Sequence, residues 1–189
     1  MHSSEQLKLQ KDAATRYADQ IDEATLKYLE GRGISEEVAA LYSLGTVTEP
    51  MNGHENHVGW LSIPYITAMG KCVGFKFRRL DDGKPKYGQP VGATTHMYNV
   101  SDITKRSAHI VVCEGELDTI LVSGVLDIPA VGVPGVANWK PHYPRLLNGY
   151  DMVYVCADND IPKEEGGDNP GQIFAKRVAS EVMNAQIVS

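Results

Sequence analysis

Carboxylate residues follow two apolar, strand-like runs of the sequence. Glu114 and Asp118 come after the first run, and Asp158 and Asp160 come after the second. Carboxylates that lie close together repel one another and raise one another's pKa, and a bound divalent cation relieves this repulsion. Mg²⁺ prefers hard oxygen ligands, so the pattern predicts a magnesium site. Asp-x-Asp is also common in turns, and Glu at a helix start is ordinary capping, so the prediction depends on both motifs together.

The elements around these carboxylates alternate between strand and helix, which is typical of an α/β unit with a parallel sheet. The predicted elements are strand Ile110 to Cys113, helix Leu117 to Val125, strand Ala130 to Val133, strand Met152 to Ala157 and helix Gly171 to Met183. The strands are mostly apolar, as expected where both faces of a parallel sheet are buried. Ligands of such sheets bind outside the carboxyl ends of the strands, where the four carboxylates are expected to lie.

A helical hairpin is predicted near the start of the chain. Asp22 can cap a helix that runs to about Glu30, and Ser35 can cap a second helix. Gly45 is the predicted stop of this second helix. The two short helices are expected to pack against each other.

A small antiparallel sheet is predicted after the hairpin. The runs Trp60 to Tyr65 and Val73 to Arg79 are rich in strand-forming residues. Asp82-Gly83 marks a further turn, and Lys86-Tyr87 follows it. The middle of the chain therefore differs in type from the α/β unit at its end.

Charge is distributed unevenly along the chain, although the net charge is -6. Residues 1–57 carry 5 basic and 10 acidic side chains, residues 58–107 carry 8 and 3, and residues 108–189 carry 5 and 11. The three ranges predict an N-terminal helical segment, a basic β-rich subdomain and an α/β subdomain. A basic middle part suits a phosphate-bearing partner, although a solvated surface explains such a fluctuation equally well.

The composition indicates an ordinary globular protein, with 189 residues of which 42% are hydrophobic and 22% charged. Its apolar runs are much shorter than the ~20 residues of a membrane-spanning helix, and the first twenty residues are polar. The sequence therefore predicts a cytoplasmic protein without a membrane partner. Three cysteines and six histidines show no ligand spacing, so neither a disulfide framework nor a zinc site is predicted.

The two carboxylate motifs, in this order and each after an apolar strand, resemble the Toprim domain of DnaG-type primases, topoisomerases and several nucleases. Glu114, Gly115 and Asp118 stand where that domain has Glu-Gly-x-x-Asp, and Asp158 and Asp160 stand where it has Asp-x-Asp. The variant Glu-Gly-Glu-Leu-Asp is most similar to phage primase-helicases.

Earlier segments narrow the resemblance to the catalytic core of DnaG-type primases. Residues 28–35 resemble the opening of such a core, and residues 63–65, 74–80 and 85–87 resemble its basic sheet. The resemblance covers roughly residues 22–187. It implies a Toprim-type, Rossmann-like parallel sheet flanked by helices, preceded by a helical hairpin and a small antiparallel basic sheet.

The resemblance implies a role for each matching carboxylate. Glu114, Asp158 and Asp160 correspond to ligands of Mg²⁺, with Mn²⁺ as a possible substitute. Asp118 corresponds to an acidic support near the metal. All four are predicted catalytic residues.

The resemblance also implies a nucleic-acid surface on the basic sheet. Arg78 and Lys86 match basic residues that hold nucleotide phosphates or the template backbone in the family. Lys76, Arg79 and Tyr87 are further candidates on the same sheet. A solvated strand edge is the alternative explanation for Lys76 and Arg79.

The implied function is that of a DNA primase RNA-polymerase core, a nucleotidyltransferase that makes short RNA primers on single-stranded DNA from NTPs. A replicative helicase is the expected protein partner, and the bacterial host cytoplasm is the expected location if the chain is phage-encoded. Two alternatives stay open. One is a Toprim nuclease that activates water with the same carboxylates, and the other is a non-catalytic DNA-binding fragment of a replication complex.

The sequence departs from the family pattern in four ways. It has neither the family's zinc-binding module nor a helicase ATPase motif. The loop from Ile161 to Pro170 separates the Asp-x-Asp motif from the next helix. The sequence ends at Ser189, before a further acidic motif and a helicase-binding region of the family. We therefore expect the last subdomain to be truncated, as a fragment or as one half of a split enzyme.

Overall fold

The chain forms two units, Met1–Thr94 and Thr95–Ser189. The computed structural model describes residues 2–158 and 169–188. The helical segment and the antiparallel sheet belong to the first unit, and the parallel sheet belongs to the second. The mixed α/β fold predicted from the sequence is confirmed, whereas the finer division into three parts stays a prediction.

The first unit contains the helices α1 (Ser4–Asp19), α2 (Glu23–Glu30) and α3 (Glu36–Leu41). The predicted helical hairpin is present and consists of α2 and α3. Both predicted caps are confirmed. The Asp22 side chain accepts a hydrogen bond from the backbone of Thr25 at 2.8 Å, and the Ser35 hydroxyl accepts one from the backbone of Val38 at 3.3 Å. These contacts satisfy backbone N–H groups that have no partner within the helix.

The predicted stop of α3 at Gly45 is wrong, because the helix ends at Leu41. The chain reverses at Ser43, which has a left-handed φ of 53°. Gly45 instead begins the first strand, where a Cβ atom would overlap the backbone of Tyr17 in α1. The absence of a side chain at Gly45 therefore lets α1 pack directly against this strand.

Helix α1 was not predicted from the sequence, because few of its residues are apolar. Only Ala13, Ala14 and Tyr17 of this helix are buried, and they do not give a strong helical periodicity. A local signal for its start is nevertheless present. The Ser3 hydroxyl accepts a hydrogen bond from the Gln6 backbone at 3.1 Å, and the Gln6 side chain accepts one from the Ser3 backbone at 2.8 Å. This reciprocal pair is a capping box.

The first unit contains a four-stranded antiparallel sheet in the order β1-β2-β3-β4. Its strands are β1 (Gly45–Thr46), β2 (Leu61–Ile66), β3 (Cys72–Arg78) and β4 (Tyr87–Gly88). Side chains alternate between the two faces along β3. Phe75 and Phe77 are buried in a cluster with residues of α1, whereas Lys76 and Arg78 are half-buried on the opposite face. The predicted antiparallel sheet is therefore confirmed.

Two histidines are buried beside this sheet. His54 and His57 both pack on the ring of Phe77, at centroid distances of 4.8 Å and 4.3 Å. The Tyr17 hydroxyl accepts a hydrogen bond from the Met51 backbone at 2.7 Å and lies 3.0 Å from His54 Nδ1, to which it can donate. Burial, reinforced by the neighbouring His57, lowers the pKa of His54 to about 4. Burial also lowers the pKa of His57.

We expect the free energy of unfolding of the chain to fall as the pH drops from 6.5 towards about 4. His54 and His57 resist protonation in the folded state, whereas the unfolded chain binds protons near pH 6.5, so acid favours unfolding. The stabilisation is fully present above pH 6.5, and its loss through His54 amounts to about 3 kcal/mol at most. Urea unfolding followed by Trp60 fluorescence in a Trp139→Phe background measures this.

A matched pair of variants tests the cause. His54→Gln should flatten this pH dependence, whereas His142→Gln, which changes an exposed histidine, should leave it unchanged. A parent chain with the same urea midpoint at pH 7 and pH 4.5 would contradict the prediction.

The second unit contains a parallel sheet in the order β6-β5-β7-β8. Its strands are β5 (His109–Cys113), β6 (Ala130–Gly132), β7 (Met152–Cys156) and β8 (Ala185–Val188). Strands β5, β6 and β7 agree with the sequence prediction, whereas β8 was not predicted. The helices are α4 (Glu116–Ile120), which continues into a π-helical turn (Leu121–Val125), α5 (Tyr143–Leu147) and α6 (Pro170–Glu181).

Both faces of the parallel sheet are covered. Ile110 and Val112 of β5 belong to a large buried cluster that includes Phe174 of α6. Val111 points to the other face, where Val122 of the π-helical turn packs. This two-sided burial explains why the strands are apolar throughout. Across residues 2–158 and 169–188, no helix is long and apolar enough to cross a membrane.

Candidate functional site

The parallel sheet brings two of the predicted carboxylates together. Cys113 of β5 pairs in register with Cys156 of β7, so both strands end at the same level. Glu114 and Asp158 follow these ends closely, and the Asp158 backbone N–H donates a hydrogen bond to Glu114 Oε2 at 3.4 Å. Glu114 is half-buried and Asp158 is exposed. We call Glu114 and Asp158 the carboxylate edge.

Asp118 lies in the first turn of α4 and its side chain turns back towards the start of the helix. A Cβ atom added at Gly115, the N-cap residue, would lie only 2.5 Å from Asp118 Oδ2. A carboxylate in the first turn also interacts favourably with the positive end of the helix dipole. Asp118 is therefore held close to the backbone beside Glu114, and its predicted role as an acidic support stays a prediction.

The two thiols at the ends of β5 and β7 do not offer a second kind of metal ligand, because burial raises the pKa of both Cys113 and Cys156. Burial raises the pKa of Cys113, and the neighbouring Cys156, Asp118 and Asp158 raise it further. A buried thiol that keeps its proton is a poor ligand. The donors available at this edge are therefore carboxylate oxygens.

Oxygen donors of this kind fit Mg²⁺ or Mn²⁺, which bind hard oxygen ligands. Glu114 and Asp158 are the two predicted ligands whose positions are described. Asp160, the third, lies outside the described residues, as does the loop from Ile161 to Asp168. Within the described ranges, no group of three or more His, Cys, Asp or Glu side chains is placed to hold a metal ion. The predicted set of three ligands therefore stays a prediction.

Close packing fixes the start of α4 against the sheet. The Thr119 hydroxyl donates a hydrogen bond to the Gly115 carbonyl at 2.7 Å. A Cβ atom at Gly132, the last residue of β6, would lie 2.5 Å from Thr119 Oγ1 and 3.3 Å from the Gly115 carbonyl oxygen. Glycine at position 132 therefore allows the first turn of α4 to approach the strand.

The first turn of α6 packs closely against the backbone of Asp158. Gly171 lies in the first turn of α6, and a Cβ atom there would overlap the carbonyl oxygen of Asp158. The Asn169 side chain caps the same helix by accepting a hydrogen bond from the Gln172 backbone at 2.6 Å. The backbone of Asp158 is therefore held between Glu114 on one side and the start of α6 on the other.

Gly171→Ala is expected to lower the free energy of unfolding by about 1 to 3 kcal/mol, because the added methyl group must displace the Asp158 backbone. Helix propensity alone predicts the opposite sign, since alanine favours a helix by about 1 kcal/mol over glycine. Urea unfolding measures the change. Gly149→Ala is the matched control, because a Cβ atom there meets no atom within 4 Å. Equal stability of the two variants would contradict the proposed close approach.

The antiparallel sheet gathers three of the predicted nucleic-acid residues. Arg78 of β3 pairs with Tyr87 of β4, and its guanidinium carbon lies 4.8 Å from the centre of the Tyr87 ring. Lys76 Nζ lies 4.5 Å from the same ring centre. We call Lys76, Arg78 and Tyr87 the basic face. Stacked cations of this kind gain from the negative face of the aromatic ring.

Arg79 and Lys86 are the other two predicted nucleic-acid residues, and their surroundings differ from those of the basic face. Arg79 Nε and Nη2 donate to the two oxygens of Asp81 at 2.6 Å and 2.8 Å, and this pair lowers the pKa of Asp81 to about 2. Asp81 therefore compensates the charge of Arg79. Lys86 is exposed next to Tyr87, and within the described ranges its side chain forms no hydrogen bond or ion pair.

Comparisons with known proteins find a phage protein and bacterial DNA primases that are similar to the chain. No family model matches the chain. The Gene 57 protein of Mycobacterium phage D29 is 40% identical over 134 residues, which cover 69% of this chain and 82% of that protein. The DNA primase of Neisseria meningitidis is 28% identical over 180 residues, which cover 76% of this chain and 30% of the primase.

Solved structures show the same fold. The RNA polymerase domain of Mycobacterium tuberculosis primase DnaG, in complex with double-stranded DNA, superposes with a TM-score of 0.71 at 20% identity. The match covers 100% of this chain and 74% of that one. The chain belongs to the family of DnaG-type primase catalytic cores. It spans less than a third of the length of the Neisseria meningitidis DNA primase.

Two further residues, one in the first carboxylate motif and one beside the basic face, were not predicted from the sequence. Glu116, inside the first carboxylate motif, is 1% exposed and lies in the first turn of α4. Its position in the sequence between Glu114 and Asp118 could have indicated this residue. Tyr28 of α2 contacts Arg78 of the basic face, although the two residues are 50 positions apart. No local pattern indicates that contact.

Proposed function

We propose that the chain is the RNA-polymerase core of a DNA primase and makes short RNA primers on single-stranded DNA from NTPs. The observation that carries this proposal is the contact between Glu114 and the Asp158 backbone, which joins two carboxylate motifs from two strands. Their order and context support assignment of the second unit to the Toprim type. Membership of the DnaG-type family supports nucleotide transfer rather than phosphodiester cleavage as the reaction at the carboxylate edge.

The carboxylate edge is the proposed metal site. Glu114 and Asp158 would hold Mg²⁺ or Mn²⁺ together with Asp160, and Asp118 would add negative charge beside them. A metal bound there would supply a Lewis acid that activates the primer hydroxyl and neutralises the leaving pyrophosphate. The protein would fix the position of the metal through Asp158, because Gly171 and Glu114 confine the Asp158 backbone. Zinc is not part of the proposed site.

The basic face is the proposed surface for template or triphosphate. Arg78 and Lys86 would contact phosphates, with Lys76 and Tyr87 beside them. Arg79 would contribute less, because Asp81 already compensates its charge. The net charge of -6 means that this local excess of cations, and not the average charge, would attract DNA.

The wider setting of this function is proposed from the relatives. A primase of this kind would work in the cytoplasm of a bacterial host and alongside a replicative helicase. A DNA complex of the related Mycobacterium tuberculosis domain supports DNA as a partner. We expect the isolated chain to bind template weakly and without strong sequence preference, because one small basic face supplies few phosphate contacts.

Primer synthesis on a defined template tests the proposal. The chain is incubated with single-stranded DNA and labelled NTPs in the presence of Mg²⁺, Mn²⁺ or a chelator. Short RNA products that require the metal would support the primase function. Metal-dependent cleavage of labelled DNA without RNA synthesis would favour the Toprim nuclease instead. DNA binding with neither reaction would favour a non-catalytic fragment.

A further inference from the structure

Tyr28 lies beside the basic face although it belongs to a different part of the first unit. The guanidinium carbon of Arg78 lies 5.3 Å from the centre of the Tyr28 ring, and Arg78 Nε donates a hydrogen bond to the Tyr28 hydroxyl. On the same ring, the guanidinium carbon of Arg32 lies 5.2 Å from the centre. Tyr28 therefore contacts Arg78 through both its ring and its hydroxyl.

Arg78 is consequently held by two tyrosines. Tyr28 in α2 and Tyr87 in β4 each place their ring near its guanidinium, at 5.3 Å and 4.8 Å. Within residues 2–158 and 169–188, no carboxylate forms an ion pair with Arg78, in contrast to the pair between Arg79 and Asp81. Aromatic contacts thus restrain Arg78 without compensating its charge.

The direction of this restraint has a chemical consequence. The Tyr28 hydroxyl engages Nε, so the edge of the Arg78 guanidinium formed by its two terminal nitrogens is not used by Tyr28. Two parallel N–H groups match two oxygens of a phosphate. A guanidinium that is fixed before binding also loses less conformational freedom when a phosphate arrives.

We propose that Tyr28 is a positioning residue, which orients the Arg78 guanidinium for a phosphate of single-stranded DNA or of an NTP. This inference rests on the proposed function, because it requires that Arg78 contacts phosphate. Tyr28 itself touches the arginine and not the ligand. Single-stranded DNA and an NTP both present phosphate groups, so either could be the ligand of Arg78.

A double-mutant cycle tests the proposal, with a fluorescent oligodeoxythymidylate and with a labelled NTP as separate probes. Tyr28→Phe removes the hydroxyl and keeps the ring, and it should weaken binding about 3-fold. Arg78→Ala should weaken binding about 10-fold. The double variant should bind no more weakly than Arg78→Ala alone, because Tyr28 acts only through Arg78. Tyr42→Phe, at the end of α3, is the control for a tyrosine hydroxyl elsewhere in the hairpin.

A measurement without ligand separates positioning from general destabilisation. Exchange of the Arg78 Nε proton with water, followed by NMR, should be faster in Tyr28→Phe than in the parent, while the urea midpoint stays close to that of Tyr42→Phe. The probe whose affinity changes identifies the phosphate source.

The outcomes distinguish the two proposals. Unchanged binding by Arg78→Ala would overturn both the nucleic-acid surface and the role of Tyr28. A clear loss with Arg78→Ala but none with Tyr28→Phe would overturn the role of Tyr28 alone. Strictly additive losses in the double variant would also overturn it, because they would show that Tyr28 acts independently of Arg78.

Discussion

Replacing Asp158 by Asn is expected to lower nucleotide transfer by about 100-fold or more, because the substitution removes the charge of a proposed metal ligand at the carboxylate edge. Metal binding should weaken in parallel. At a metal concentration ten times the parent Kd, bound metal stabilises the parent by about 1.4 kcal/mol, and the variant should lose most of this gain. Calorimetric titration with Mn²⁺ and primer synthesis measure the two effects.

The fold should survive this substitution, because Asp158 is exposed and Asn has almost the same shape. Removing one of two neighbouring negative charges should leave the metal-free chain equally stable or more stable. Asp151→Asn is the matched control, since Asp151 is also exposed but stands before β7 instead of after it. Normal metal affinity and synthesis in Asp158→Asn would remove this residue from the proposed site.

Replacing Arg78 by Ala is expected to weaken binding of single-stranded DNA about 10-fold, which corresponds to about 1.4 kcal/mol. One lost phosphate contact should also reduce the salt dependence of binding, by about 0.7 in the slope of log K against log salt concentration. Titrations at several salt concentrations measure both quantities. Metal affinity should not change, because the arginine side chain offers no oxygen ligand to Mg²⁺ or Mn²⁺.

The neighbouring arginine provides the control for this prediction. Arg79→Ala removes the same type of side chain, but Asp81 already compensates its charge, so binding should fall less than 3-fold. Asp81→Asn should slightly strengthen binding, because it leaves the charge of Arg79 uncompensated. Equal losses in Arg78→Ala and Arg79→Ala would show that overall charge, and not the basic face, controls binding.

The local sequence was sufficient for the elements whose signals are local. The caps Asp22 and Ser35 were predicted because a capping side chain needs only backbone groups two or three residues away. The strands before Glu114 and Asp158 were predicted because burial on both faces requires a continuous apolar run. Helix α1 was not predicted because few of its residues are apolar, and the end of α3 was misplaced because the chain already reverses at Ser43.

The sequence also determined which residues can do chemistry. It placed Glu114 and Asp158 after two apolar strands and predicted that both belong to one sheet edge. Only the tertiary structure established that β5 and β7 are neighbours in register, although more than 30 residues separate them. Strand order depends on how the helices pack on both faces, and no local pattern specifies this packing.

The basic sheet shows the same division between sequence and structure. Alternation along β3 predicts from the sequence that Lys76 and Arg78 share a face. The different surroundings of Arg78 and Arg79 followed only from tertiary contacts, with two tyrosines beside the first and Asp81 beside the second. Residue type and periodicity are encoded locally, whereas the charge that remains uncompensated depends on which side chains folding brings together.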